Sequence, residues 1–250
     1  MLTLLTLVAV FLYAIATFWQ WQRLSSKTNE LRGRVLAAGT SAWSLHTLVT
    51  FQLLISEQGT NLSIFNAGSL VASTVTLILL LSNLRQKLDN LFIAVFPMAA
   101  LTLIAAAWLP SINEARPYTS GVLSHILLSL IAYSILTLAA FQAVLVSRQE
   151  KALKQHSARG LLNSLPPLQV MERLLFDMIL AGFLLLTLSL ISGFIFTNDL
   201  FDQHLAHKTL LSITSWGVFA LSLIHISEPT RQYCQSRMPC GAGKERGGGG

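Results

Sequence analysis

The residues with the types and spacing to do chemistry are a few histidines and acids set in a very apolar chain. His46 lies inside the uncharged stretch VLAAGTSAWSLHTLVTFQLLIS, and His125 opens the uncharged run GVLSHILLSLIAYSILTLAAFQAVLV, residues 121–146. His204 and His207 form an HLAH pair at i,i+3, with Asp199 and Asp202 just before them. A neutral imidazole can ligate iron when its other ring nitrogen is held by an acceptor. Two histidines and a carboxylate can also hold zinc or copper.

Each group has a plainer reading beside the chemical one. A histidine at bilayer depth is costly unless it is partnered, so His46 reads either as a site residue or as a helix-to-helix hydrogen bond. His125 reads as a haem ligand or as an interfacial histidine facing water, with Ser129, Tyr133 and Ala140 following on roughly one face. The His204 and His207 pair reads first as a solvated loop. His156 sits among lysines and arginines and reads as solvated. Asp177 can pair with Arg173 four residues earlier. The stripe Asn66, Ser69, Ser73, Thr76 reads as helix packing before it reads as a cofactor face.

What must position these residues is a membrane bundle. The chain has 250 residues, 53% hydrophobic and only 11% charged, with mean hydropathy +0.60. A soluble fold carries roughly a quarter of its residues charged. A spanning helix needs about 20 apolar residues. Runs of that kind lie at Met1 to Gln22, Val35 to Ser56, Leu62 to Leu84, Leu91 to Leu109, Gly121 to Val146 and Leu174 to Thr197, and a seventh starts at Thr209. Met1 to Gln22 lacks the basic start and cleavage site of a signal peptide. The expected fold is therefore an all-α, polytopic transmembrane bundle of about seven spans, the last of them truncated.

Loop charges orient it. Arg23, Lys27, Arg32 and Arg34 fill the first loop, Arg85 and Lys87 the third, and Arg148, Lys151, Lys154, Arg159 and Arg173 the fifth. The alternate loops are poor in basic residues. The positive-inside rule then puts the odd loops in the cytoplasm, the N-terminus outside and His125 on the outer side. Trp19 and Trp21 fall at the inner interface and Trp108 at the outer one. The net charge of +6 is explained by these loops rather than by a nucleic-acid partner. The long loop from Ser147 to Glu172 breaks at Pro166-Pro167, where a short interfacial helix is expected to start. No nucleophile constellation, phosphate loop or zinc ribbon appears, so the chain is expected not to be an enzyme.

Residues 221–250 are set apart from this reading. LSLIHISEPTR is encodable by the transposase adapter used in sequencing-library preparation, and SRMP and the terminal glycines fit the rest of such a read. We expect a transmembrane domain over 1–220, truncated within its last helix, followed by a non-native tail. Cys234 and Cys240 both lie in that tail and say nothing about redox compartment.

Four stretches carry a family resemblance: NLSIFNAGSLVAS (61–73), SHILLSLIAYSILTLAAFQA (124–143), LPPLQVMERLLFDMILAGFLLLTLSLISGFIFTNDLF (165–201) and KTLLSITSWGVF (208–219). Their order resembles the cytochrome c assembly protein family, in the branch of CcsA, HemX and the YpjD-type inner-membrane proteins. The resemblance implies a multi-pass protein of a bacterial inner membrane that holds or moves haem, with cytochrome c maturation proteins as partners. It implies that His125 is an outward-side haem ligand and His46 a ligand buried in the bundle. Tyr133, Lys208 and Trp216 match recurrent positions. Where haem-handling members carry a WGxxWxWD segment, this chain reads TNDLFDQHLAHK, so presentation of haem to a synthase is not implied. The rival expectation is a HemX-like regulatory or scaffold protein without haem.

Overall fold

Inside a bilayer every backbone N–H and C=O must be bonded within its own segment, so apolar runs of this length fold as helices. The computed structural model describes residues 1–26, 31–56, 59–85, 88–109, 117–154, 167–196 and 206–235. Among them are seven α-helices: α1 (Leu2–Ser26), α2 (Arg32–Leu54), α3 (Ile64–Arg85), α4 (Phe92–Trp108), α5 (Ser120–Lys154), α6 (Leu168–Phe196) and α7 (Ala206–Gln235). A single 3-10 turn, Asp89–Leu91, leads into α4. Two two-residue strands, β1 (Ile55–Ser56) and β2 (Gly59–Thr60), close the α2–α3 connection as a small antiparallel ladder. Gly59 takes φ 129 there, a conformation that favours glycine.

Five helical segments are long and apolar enough to cross a membrane: Leu2–Ser25, Ile64–Asn83, Asp89–Trp108, Ser120–Lys154 and Leu168–Phe196. α2 falls outside that set because Thr40, Ser41, Ser44, His46, Thr47, Thr50 and Gln52 lower its hydropathy. In α7 the apolar described stretch is Thr209–Ile224, a shorter segment. α7 itself continues through Gln235, across the boundary expected at Leu221, and residues 236–250 lie outside the described part.

Two element boundaries differ from the sequence expectation. The fifth helix does not end near Val146 but continues to Lys154, where Lys154 and Glu150 pair at 2.6 Å one turn apart. At about 1.5 Å per residue it is longer than the roughly 30 Å apolar core of a bilayer. No separate interfacial helix follows Pro167. Instead Pro167 caps the start of α6, its carbonyl accepting from the backbone N–H of Val170 and Met171.

Packing divides the bundle into two linked parts. α1 lies against α2 and α4, and α3 lies against α4 and α5. Their shared core holds Tyr13, Phe92 and Phe96, with Phe92 stacked on Phe96 at 4.8 Å between ring centroids. Gly39 of α2 admits Phe96, since a Cβ there would fall 2.6 Å from its Cζ. Lipid tails are as apolar as these side chains, so close packing and interhelical hydrogen bonds hold the helices together. The second part is the α5–α6 hairpin, the most extensive helix pair, with α7 on its α6 side. Gly182 and Gly193 bring α6 close to α5, facing Leu136 and His125.

A buried ion cluster ties the ends of α1, α2 and α3 to the turn that leads into α4. Asp89 accepts from Arg23 Nη2 at 3.0 Å and lies 3.7 Å from Arg32 Nε, while Gln20 donates to its backbone carbonyl at 2.6 Å. Arg32 also donates to the Asn83 carbonyl, and the Asn83 side chain accepts from the Leu88 N–H. The α1–α2 and α3–α4 connections thus share one end of the bundle.

Candidate functional site

His46 sits at the centre of the first part, fully buried. Its Nδ1 lies 3.2 Å from the Tyr13 hydroxyl of α1, and its Nε2 lies 2.9 Å from Ser69 Oγ of α3. Ser69 Oγ is 2.8 Å from Thr50 Oγ1. Two proton assignments satisfy the chain: Tyr13 donates to Nδ1, Nε2–H to Ser69 and Ser69 to Thr50, or every donor and acceptor along it is reversed. The Tyr13 ring meets the imidazole edge-on at 5.8 Å. Next to this chain, Thr47 and Ser73 share a hydrogen bond at 2.8 Å, and Trp43 Nε1 donates to the Ser73 carbonyl. The polar stripe on α3 is therefore an interhelical seam. Both ring nitrogens of His46 are engaged by the protein.

His125 is arranged differently. It projects from the first turns of α5 onto α6, half-buried, where its Nδ1 lies 2.9 Å from the Ser189 carbonyl and 3.1 Å from Ser192 Oγ. A carbonyl only accepts, so Nδ1 must carry the proton. Ser192 Oγ in turn donates to the same carbonyl at 2.8 Å. Ser129 donates to the His125 carbonyl and lies 2.6 Å from Ser189 Oγ. Among the described residues no hydrogen bond reaches His125 Nε2. In the neutral ring that nitrogen holds the lone pair.

A ligating imidazole needs its far nitrogen bonded to a carbonyl or carboxylate, which fixes the tautomer and turns the lone pair to the metal. His125 meets that requirement, with Ser189 supplying the acceptor. A metal at His46 would have to replace the bond to Tyr13 or to Ser69. The two histidines belong to different seams, His46 to α1–α2–α3 and His125 to α5–α6.

His204 lies outside the described residues, as do His156, Asp199 and Asp202, and the His207 and Lys208 side chains are not described. Among the described residues no group of three His, Cys, Asp or Glu could hold a metal ion. Asp177 is exposed and forms no ion pair with Arg173. Tyr133, 41% exposed, reaches Ser212 of α7 at 3.4 Å. Trp216 stacks on Phe183 and donates to Thr187, so it fastens α7 to α6. Sequence reasoning missed Tyr13, Ser189, Ser192 and Gly193 as partners of the histidines, and Asp89 as the anchor of the charged end. Asp89 did carry a signal, being an acid alone in a basic loop.

The model of the family described as "Cytochrome C assembly protein" matches residues 35–237, most of the chain, and the chain belongs to that family. It is similar to the Escherichia coli protein named "Inner membrane protein YpjD", from strains K12, O6:H1 and O157:H7. Each is 28% identical over 222 residues, covering 87% of this chain and 83% of the relative. No solved structure matches the chain.

Proposed function

We propose that this protein is a multi-pass protein of the bacterial inner membrane that binds haem and takes part in cytochrome c assembly, acting by binding and not by catalysis. One observation carries the reading: His125 has its Nδ1–H held by the Ser189 carbonyl, while no hydrogen bond from the described residues reaches Nε2. Membership of the family and the likeness to a relative named as an inner membrane protein support it. Haem supplies an iron centre that a protein imidazole can ligate. The chain's own contribution is to fix the His125 tautomer and to bury the apolar surroundings of the α5–α6 seam. His46 is the second candidate ligand, at the expense of one of its present bonds. The cytoplasmic placement of the odd loops follows from their basic residues. The meeting of Arg23, Arg32 and Asp89 at one end supports a shared side for the first and third loops. That orientation puts His125 outside, where c-type cytochromes are assembled.

A second reading has its own observation. Both nitrogens of His46 are hydrogen-bonded within the bundle, as in a structural lock. This favours a HemX-like regulatory or scaffold protein that acts through a partner. The test is the absorption spectrum of the protein purified in detergent from haem-replete cells. A Soret band is expected, and its absence would favour the scaffold.

A further inference from the structure

We propose that Gly193 is a positioning residue for His125: the missing side chain lets the imidazole lie against α6, so that its Nδ1–H reaches the Ser189 carbonyl and Nε2 keeps the lone pair. The purpose of this arrangement rests on the haem reading, whereas the arrangement itself can be tested without haem.

Three observations meet at this point. A Cβ at residue 193 would fall 2.9 Å from His125 Cε1 and 3.2 Å from Nδ1. The first distance is closer than side chains pack, and the obstructing atoms are those of the ring itself. Adding a methyl group must therefore move the atoms that make the hydrogen bond. Second, Nδ1 has two acceptors from one turn of α6, the Ser189 carbonyl at 2.9 Å and Ser192 Oγ at 3.1 Å. Third, the stronger acceptor is a backbone carbonyl, which no side-chain substitution removes. Ser192 donates to that carbonyl, so its hydroxyl is a secondary acceptor. Control over the tautomer then lies at the position that sets how closely the ring approaches α6, and that position is Gly193. In a free histidine side chain the proton favours Nε2, so a ring pushed off α6 reverts to the tautomer whose Nε2 has no lone pair to offer a metal.

The test uses the whole protein, labelled with 15N-histidine in detergent micelles. The wild type is compared with Gly193→Ala, Ser192→Ala and Gly68→Ala; at Gly68 a Cβ would meet nothing within 4 Å. The His125 signal is assigned by its loss in His125→Gln. The nitrogen shifts report the tautomer directly, and haem titration followed by absorbance reports affinity. Wild type, Ser192→Ala and Gly68→Ala are expected to keep a protonated Nδ1 and a bare Nε2. Gly193→Ala is expected to show protonated Nε2 and a haem affinity about 10- to 100-fold lower, the usual effect of disturbing a ligand's outer partner. An Nε2-protonated His125 in the wild type overturns the proposal, and that measurement decides alone should Gly193→Ala not fold. An unchanged tautomer in folded Gly193→Ala also overturns it. A wild type with the expected tautomer but no haem binding supports the positioning role while overturning the haem reading.

Discussion

The Ser189 carbonyl of α6 lies 2.9 Å from Nδ1 of His125 on α5, across 64 residues of chain. That contact decides which ring nitrogen carries the proton, and it separates His125 from His46, whose two nitrogens are both used to join helices.

His46 should behave as a structural hub. Interhelical hydrogen bonds in membranes contribute about 0.6 to 2 kcal/mol each. Tyr13→Phe should cost that much in stability. His46→Ala should cost more, because it removes two interhelical bonds at once, to Tyr13 and to Ser69. Unfolding in mixed detergent micelles measures both, and a Tyr13→Phe, His46→Ala double mutant should lose less than the sum of the singles.

Asp89 should matter more than its place in a connection suggests. Removing one partner of a buried ion pair costs about 3–5 kcal/mol, since the other charge stays buried. Asp89→Ala leaves Arg23 without its carboxylate and should lower the thermal midpoint sharply. Arg32→Gln should change it little, because Arg32 stands 3.7 Å away and is a third exposed. Equal effects of the two substitutions would show that Arg23 does not depend on Asp89.

Orientation can be read by labelling with a membrane-impermeant maleimide. In a Cys234→Ser, Cys240→Ser background, Thr119→Cys should label in intact cells and Lys151→Cys only after lysis. The reverse pattern would place the N-terminus inside and His125 on the cytoplasmic side.

The coding sequence after codon 220 should match the transposase adapter over LSLIHISEPTR. Codons that differ widely from it would make residues 221–250 part of the natural protein. A helical backbone through Gln235 fits either origin, because LSLIHI is apolar enough to continue α7.

The helices were legible because bilayer thickness sets one length scale, and runs such as Leu91 to Leu109 are bounded by polar residues. Their ends were less so. Ser147 to Lys154 is polar, and polarity marked where α5 leaves the apolar layer, not where its helix stops. α2 was found by the absence of charge, although its hydroxyls keep its hydropathy low. At the site, His46 and His125 stand out by residue type, and the Ser69 stripe, which reads as packing before it reads as a cofactor face, makes hydrogen bonds to α2. Their partners could not be read, because Tyr13 is 33 residues from His46 and Ser189 is 64 from His125. Nothing in local spacing encodes such pairs. Gly193 is typical of the limit: in sequence it is one small residue in an apolar helix, and only the neighbouring ring gives it meaning.

Haem ligation by His125 is tested by the Soret absorbance of the purified protein beside His125→Ala and His46→Ala at matched concentration. A band is expected in the wild type and should be abolished in folded His125→Ala. A band that survives in folded His125→Ala would contradict ligation by His125.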